Sequence, residues 1–122
     1  MKFRFKRAPA TTPTTSGQKG EDIASEYLQA NGFKVLHRNV KTTRYEIDII
    51  AKRKKQLYFV EVKYRSSSQQ GKGYEYVTEQ KLKQMSYAAK KWVSSEDYKG
   101  PYQLAVVSVD EDGVQFIDEI WQ

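Results

Sequence analysis

The chain contains no cysteine, so disulfides and thiolate-held zinc are both excluded. Its one histidine, His37, has no second histidine or cysteine to share a metal with, and reads as an ordinary strand residue. No apolar run approaches the roughly 20 residues that a membrane span requires. The basic start runs into Thr and Pro rather than an apolar segment, so no secretory signal is expected, and we read the chain as cytoplasmic. A Walker-type phosphate loop is missing, which removes the signature of ATP dependence. So is a nucleophile elbow or a Ser/His/Asp arrangement. Gly17-x-x-Gly20 is too short for a dinucleotide fingerprint.

What remains is a chain of 122 residues, the size of one domain, with a formal net charge of +6 that favours polyanionic partners. Residues 1–16 read as a tail. Lys2, Arg4, Lys6 and Arg7 alternate with Phe3 and Phe5, and a Pro/Thr run with little to bury follows. The plain reading of this tail is a solvated extension; its basic start also suits phosphates, with the phenylalanines stacking on bases. Residues 17–122 read as the domain.

Gly17 to about Ala30 is patterned as a helix, capped by Ser16 and stopped by Asn31-Gly32, with Ile23, Ala24, Tyr27 and Leu28 as its apolar stripe. Glu21 lies on or beside that stripe, although charge near a helix N-terminus needs no function. Phe33 to Asn39 reads as a strand. Thr78 caps a second helix to about Ser94, with Leu82, Met85, Ala88, Ala89 and Trp92 on its apolar face. Tyr102 to Val109 is a buried strand, Asp110 to Gly113 a turn, and Val114 to Ile120 a last strand, with Trp121 available to pack back on the core or to cover a partner surface. The polar loop 66–73 leaves the middle of the chain just beyond Lys63 and Arg65.

The chemistry concentrates between residues 45 and 63. Tyr45-Glu46-Ile47-Asp48-Ile49-Ile50-Ala51 and Leu57-Tyr58-Phe59-Val60-Glu61-Val62-Lys63 both read as strands, because β-branched and aromatic residues recur with period two. Acids and a lysine within such strands are costly to bury unless paired or bound to a metal. With Lys52-Arg53-Lys54-Lys55 as the turn, Asp48 is expected opposite Phe59 and Glu46 opposite Glu61. Glu46, Asp48, Glu61 and Lys63 then share one face, and Ile47, Ile49, Tyr58, Val60 and Val62 the other. Asp48 and Glu61 become diagonal neighbours roughly 7–8 Å apart, within joint reach of one hard cation such as Mg²⁺. A slip of one residue would undo the arrangement. The plain alternative is a solvated salt-bridge cluster.

The same residues resemble a known family. Asp48 followed by Glu61-Val62-Lys63 is similar to the Asp…Glu-x-Lys signature of restriction-endonuclease-like nucleases. Gly17 to Ala24, Tyr27-Leu28, Gly32-Phe33, Arg38-Asn39, Glu46 to Ala51, Phe59 to Arg65 and Lys81 together resemble the YraN-like family of small endonuclease-like proteins, itself similar to archaeal Holliday-junction resolvases. The likeness spans about residues 17 to 109. It implies an α/β fold with a mixed central sheet flanked by helices, and a Mg²⁺- or Mn²⁺-dependent nuclease acting on DNA, branched DNA included. It implies Glu21, Asp48 and Glu61 as metal ligands, Lys63 as the catalytic lysine, and Lys81 as a phosphate contact. Arg65 and, in the loop, Lys72 join Lys81 as expected nucleic-acid contacts. Resolvases of similar fold act as dimers, so a homodimer is a further expectation. The chain departs from the family pattern at Tyr45, where a glycine is usual, and at Ala105, where an aspartate often stands. Two other readings stay open: a nucleic-acid-binding module or adaptor without turnover, and a structural partner protein whose acids form salt bridges.

Overall fold

The computed structural model describes residues 16–65, 77–118 and 120. The basic tail up to Thr15, the 66–73 loop with Lys72, and Trp121 lie outside the described residues. In chain order the elements are α1 (Ser16–Ala30), β1 (Lys34–Lys41), β2 (Glu46–Arg53), β3 (Gln56–Tyr64), α2 (Glu79–Ser95), β4 (Tyr102–Asp110) and β5 (Gly113–Ile117). The strands form one sheet in the order β1-β2-β3-β4-β5. All neighbours are antiparallel except β3 and β4, which run parallel because α2 lies between them in the chain. This is the restriction-endonuclease-like α/β architecture expected from the sequence, a mixed sheet with helices.

Each helix packs an apolar stripe against one face of the sheet. Ile23, Ala24 and Leu28 of α1 cluster with Ile49, Ala51, Tyr58, Val60, Ala105 and Val107. Ala88 and Ala89 of α2, with Trp92 and Val93, cluster with Ile47, Ile50, Leu57 and Phe59. The two sets alternate along β3, as a strand buried on both faces requires. Ala105 is fully buried in the α1-side core and pairs with Val60, so its side chain serves packing.

The helix ends follow their residues. Thr78 caps α2 by accepting a hydrogen bond from the Lys81 N–H at 3.0 Å. At the end of α1, Gly32 adopts a φ of 88°. Its N–H donates to Gln29 O, while the Phe33 N–H donates to Leu28 O at 2.9 Å, the paired bonds of a Schellman turn. This turn drops Phe33 into the core before β1 begins. Ser16, expected as a cap, is the first residue of α1 instead. The strand at 113–117 is shorter than the Val114 to Ile120 expected.

The hairpin register differs from the sequence expectation. Arg53 pairs with Gln56, so the turn is Lys54-Lys55 alone, not the four residues 52–55. Lys54 takes the left-handed φ of 58° that so tight a connection demands. Every β2–β3 pair thereby shifts by two residues, and Ile49, not Ile47, faces Val60. A two-residue shift preserves faces, so Ile49, Tyr58, Val60 and Val62 share the α1 side as expected. Ile47 does not. It packs on the α2 side with Ile50 and Phe59, so the alternation of β2 breaks between Ile47 and Ile49.

Candidate functional site

The break in alternation marks a fork in the sheet. Pairing of β2 with β3 ends at Ile49 and Val60. Beyond that point β2 stays with β1 as far as the Lys41–Glu46 pair, and β3 stays with β4 as far as the Tyr64–Val109 pair. Asp48 is the first residue of β2 past the last β2–β3 pair, and Glu61 the first of β3. Where the backbone ladder stops, the Asp48 carboxylate substitutes for it: Oδ2 accepts from the Val62 N–H at 2.8 Å. That bond fixes the aspartate beside Glu61.

Glu61 is held by two lysines. Lys81 Nζ, from the first turns of α2, lies 3.1 Å from Glu61 Oε2, and Lys63 Nζ lies 3.9 Å from the same oxygen. Both lysines are half-buried, and the Glu61 side chain is 16% exposed. Lys81, expected as a phosphate contact, is placed over the Glu61 carboxylate. Arg65 follows β3 two residues past Lys63; its N–H donates to Val109 O at 2.8 Å.

Glu21 approaches the fork from α1. Gly20 makes this possible: a Cβ there would meet Tyr64 Cβ at 2.8 Å, so only glycine lets the helix start sit so close to β3. Glu21 is buried, and its Oε1 has no hydrogen-bond partner among the described residues. Arg38 of β1 stands 3.9 Å from that oxygen and bonds Asp22 Oδ1 at 2.6 Å. Burial raises the Glu21 pKa, opposed by Arg38 and reinforced by Asp22 and Glu46. Asp48 is pushed further, from 3.8 to about 6. Burial is the largest cause and the Glu61 charge the second; the Val62 bond opposes both. Glu21 and Asp48 feel each other's charge across the fork.

The donor chemistry of these carboxylates suits a hard divalent cation. All are oxygen donors; the negative charge of Glu21 and Asp48 is disfavoured where it stands, and Glu21 carries an unsatisfied buried oxygen. Among the described residues, however, no three His, Cys, Asp or Glu side chains are grouped closely enough to hold a metal. Asp48, Glu61, Lys63 and Lys81 are therefore together, Glu21 faces them from α1, and Lys72 lies outside the described residues.

Two features were missed from the sequence. Arg38 carries no signal beyond its motif, because its place at Glu21 needs the β1–α1 packing. A groove of about 560 Å³ runs from Glu61 between the Arg44–Glu46 segment and the exposed side of α2. The i, i+4, i+7 spacing of Gln80, Gln84 and Tyr87 was its one visible signal.

The mixed sheet, with carboxylates and lysines set where it forks, defines the chain as a restriction-endonuclease-like α/β protein. Residues 20–110 match the model of the uncharacterised protein family UPF0102, and the chain belongs to that family, the YraN-like family that its motifs resemble. It is 34% identical to the UPF0102 protein of Chlorobium limicola, over 90% of this chain and 95% of that one. The UPF0102 protein of Shewanella oneidensis is 32% identical, over 84% and 95%. That of Thermotoga neapolitana is 35% identical, over 83% and 92%. No helix among the described residues is long and apolar enough to cross a membrane.

Proposed function

We propose that the chain is a divalent-metal-dependent nuclease that hydrolyses phosphodiester bonds in DNA. The observation that carries this reading is the fork itself, which sets Asp48 and Glu61 side by side with Lys63 and Lys81 and pushes the Asp48 pKa up to about 6. Asp48, Glu61 and Glu21 would hold Mg²⁺ or Mn²⁺. When bound, such an ion neutralises charge on the scissile phosphate and makes water more acidic. The chain's own residues do the rest. The Val62 N–H keeps the Asp48 carboxylate in place. Lys63 orients the attacking water and stabilises developing negative charge. Lys81 moves from Glu61 to a phosphate as DNA enters, with Arg65 and Lys72 as further phosphate contacts. That exchange would leave Glu61 free to join Asp48 and Glu21 in holding the cation.

The test is cleavage of linear and branched DNA with Mg²⁺ or Mn²⁺ by the wild type and by Glu61→Gln. Loss of cleavage with the fold intact by circular dichroism is expected. Cleavage surviving in a pure preparation of the variant would sink the assignment. A second reading, binding of nucleic acid without turnover, is favoured by one specific observation: both lysines already satisfy Glu61. It predicts salt-dependent binding that persists in EDTA and after Glu61→Gln, with no cleavage by the wild type.

A further inference from the structure

The 560 Å³ groove beside Glu61 is larger than a metal and a phosphate require, and its walls are of a different kind. On one side, Lys81, Gln84 and Tyr87 belong to α2, with Gln84 and Tyr87 three residues apart and hence on one stripe of the helix. On the other side stand Arg44 and Tyr45, from the segment leading into β2. Tyr45 is half-buried and packs against the α2-side core, which fixes it as a wall. Tyr87 is the opposite case. It is 41% exposed, one of two large aromatic or apolar side chains so exposed among the described residues. Its ring has a cation for company, with Lys91 Nζ 5.5 Å from the centroid. One aromatic ring exposed to solvent, with Arg44, Lys81 and a side-chain amide in the same groove, matches the chemistry of an unpaired nucleotide: a π-face to stack, a base edge to hydrogen-bond and a phosphate to neutralise. A continuous duplex presents no unstacked base to such a groove.

We infer that this groove is a subsite for an unpaired nucleotide, with its base stacked on Tyr87 between α2 and the Arg44–Tyr45 wall, Gln84 at the base edge and Arg44 on the backbone. This deepens the nuclease reading and rests on its premise that the partner is nucleic acid. It assigns the preferred substrate as a strand, fork or junction with unpaired bases next to the scissile phosphate.

The experiment uses the full chain in EDTA, so that binding is read without cleavage. Fluorescence anisotropy follows a labelled oligothymidylate and a labelled duplex of equal length, with wild type, Tyr87→Ala and Tyr87→Phe. Tyr87 is exposed, so neither substitution threatens the fold. The single strand should bind more tightly than the duplex. Tyr87→Ala should weaken the single strand by at least roughly fivefold and the duplex by less than about twofold, the scale of a lost rim contact. Tyr87→Phe should keep the wild-type preference, since the ring and not the hydroxyl stacks. Equal loss on both nucleic acids, or no loss on either, overturns the subsite. If the wild type binds, and cleaves once Mg²⁺ replaces EDTA, while Tyr87→Ala changes nothing, only the subsite falls. If Tyr87→Ala is selective but nothing cleaves, the subsite stands and the nuclease reading falls. Wild type that binds no nucleic acid at low salt overturns both.

Discussion

Replacing Asp48 by asparagine is expected to make the fold more stable, and only above the acid range. The carboxylate sits at the fork largely out of water, beside Glu61, and its pKa rises from an ordinary 3.8 to about 6. The folded state therefore binds the Asp48 proton more tightly than the unfolded chain does. The stability this proton contributes is fully present below about pH 3.8 and is lost as pH rises through about 6. At ~1.36 kcal/mol per pH unit the gap corresponds to about 3 kcal/mol. Asparagine keeps an acceptor oxygen for the Val62 N–H and carries no charge, so it escapes that loss. The variant and the wild type should thus be equally stable near pH 3 and diverge by up to about 3 kcal/mol above pH 7. Urea unfolding in EDTA, followed by tryptophan fluorescence across this range, gives the difference directly. Glu21, whose pKa is also raised, titrates in both proteins, and its coupling to Asp48 is part of the measured difference. A difference that does not change with pH, or a variant less stable than wild type at pH 8, would refute the reasoning. Added Mg²⁺ should stabilise the wild type and leave the Asp48→Asn variant unmoved, which links the stored cost to the site's proposed use.

Gly20→Ala puts a Cβ 2.8 Å from Tyr64 Cβ, at the root of that side chain where little can give. A loss of about 1–3 kcal/mol by urea unfolding is expected, together with lower activity as Glu21 is carried away from the fork. Lys81→Gln removes the cation 3.1 Å from Glu61. Calorimetric titration with Mn²⁺ in the absence of DNA should then show affinity higher by roughly twofold to fivefold, the scale of a partly exposed ion pair, while DNA binding weakens. Unchanged Mn²⁺ affinity would mean that the pair does not compete with the cation.

Much of this protein was legible before any coordinates. Period-two patterning identified β2 and β3, a buried apolar run identified β4, and apolar stripes with their caps and stops identified α1 and α2 nearly to the residue at Thr78 and Gly32. These are local signals: a strand or helix buried on one or both faces must write its period into its own residues. The spacing of Asp48, Glu61 and Lys63 was equally local, and the two-residue shift of register left Asp48 and Glu61 near each other because it preserves the faces of the hairpin.

The tertiary structure alone decided where the hairpin turns and where the sheet splits. Nothing in Lys52-Arg53-Lys54-Lys55 announces a two-residue turn, since Lys54 has a side chain that disfavours its φ of 58°. Burying Ile49 against Val60 and Ile50 against Phe59 outweighs that local preference. Ile47 changes faces because two cores compete for one strand, and α2 claims it while β1 keeps its backbone. That switch opens the fork at Asp48, brings Lys81 onto Glu61 across the chain from α2, and lets Gly20 deliver Glu21 from α1. Residue types and their period are properties of short segments and can be read from them. Register, the end of a ladder and the meeting of three distant elements depend on which contacts win when all of the segments must be buried at once.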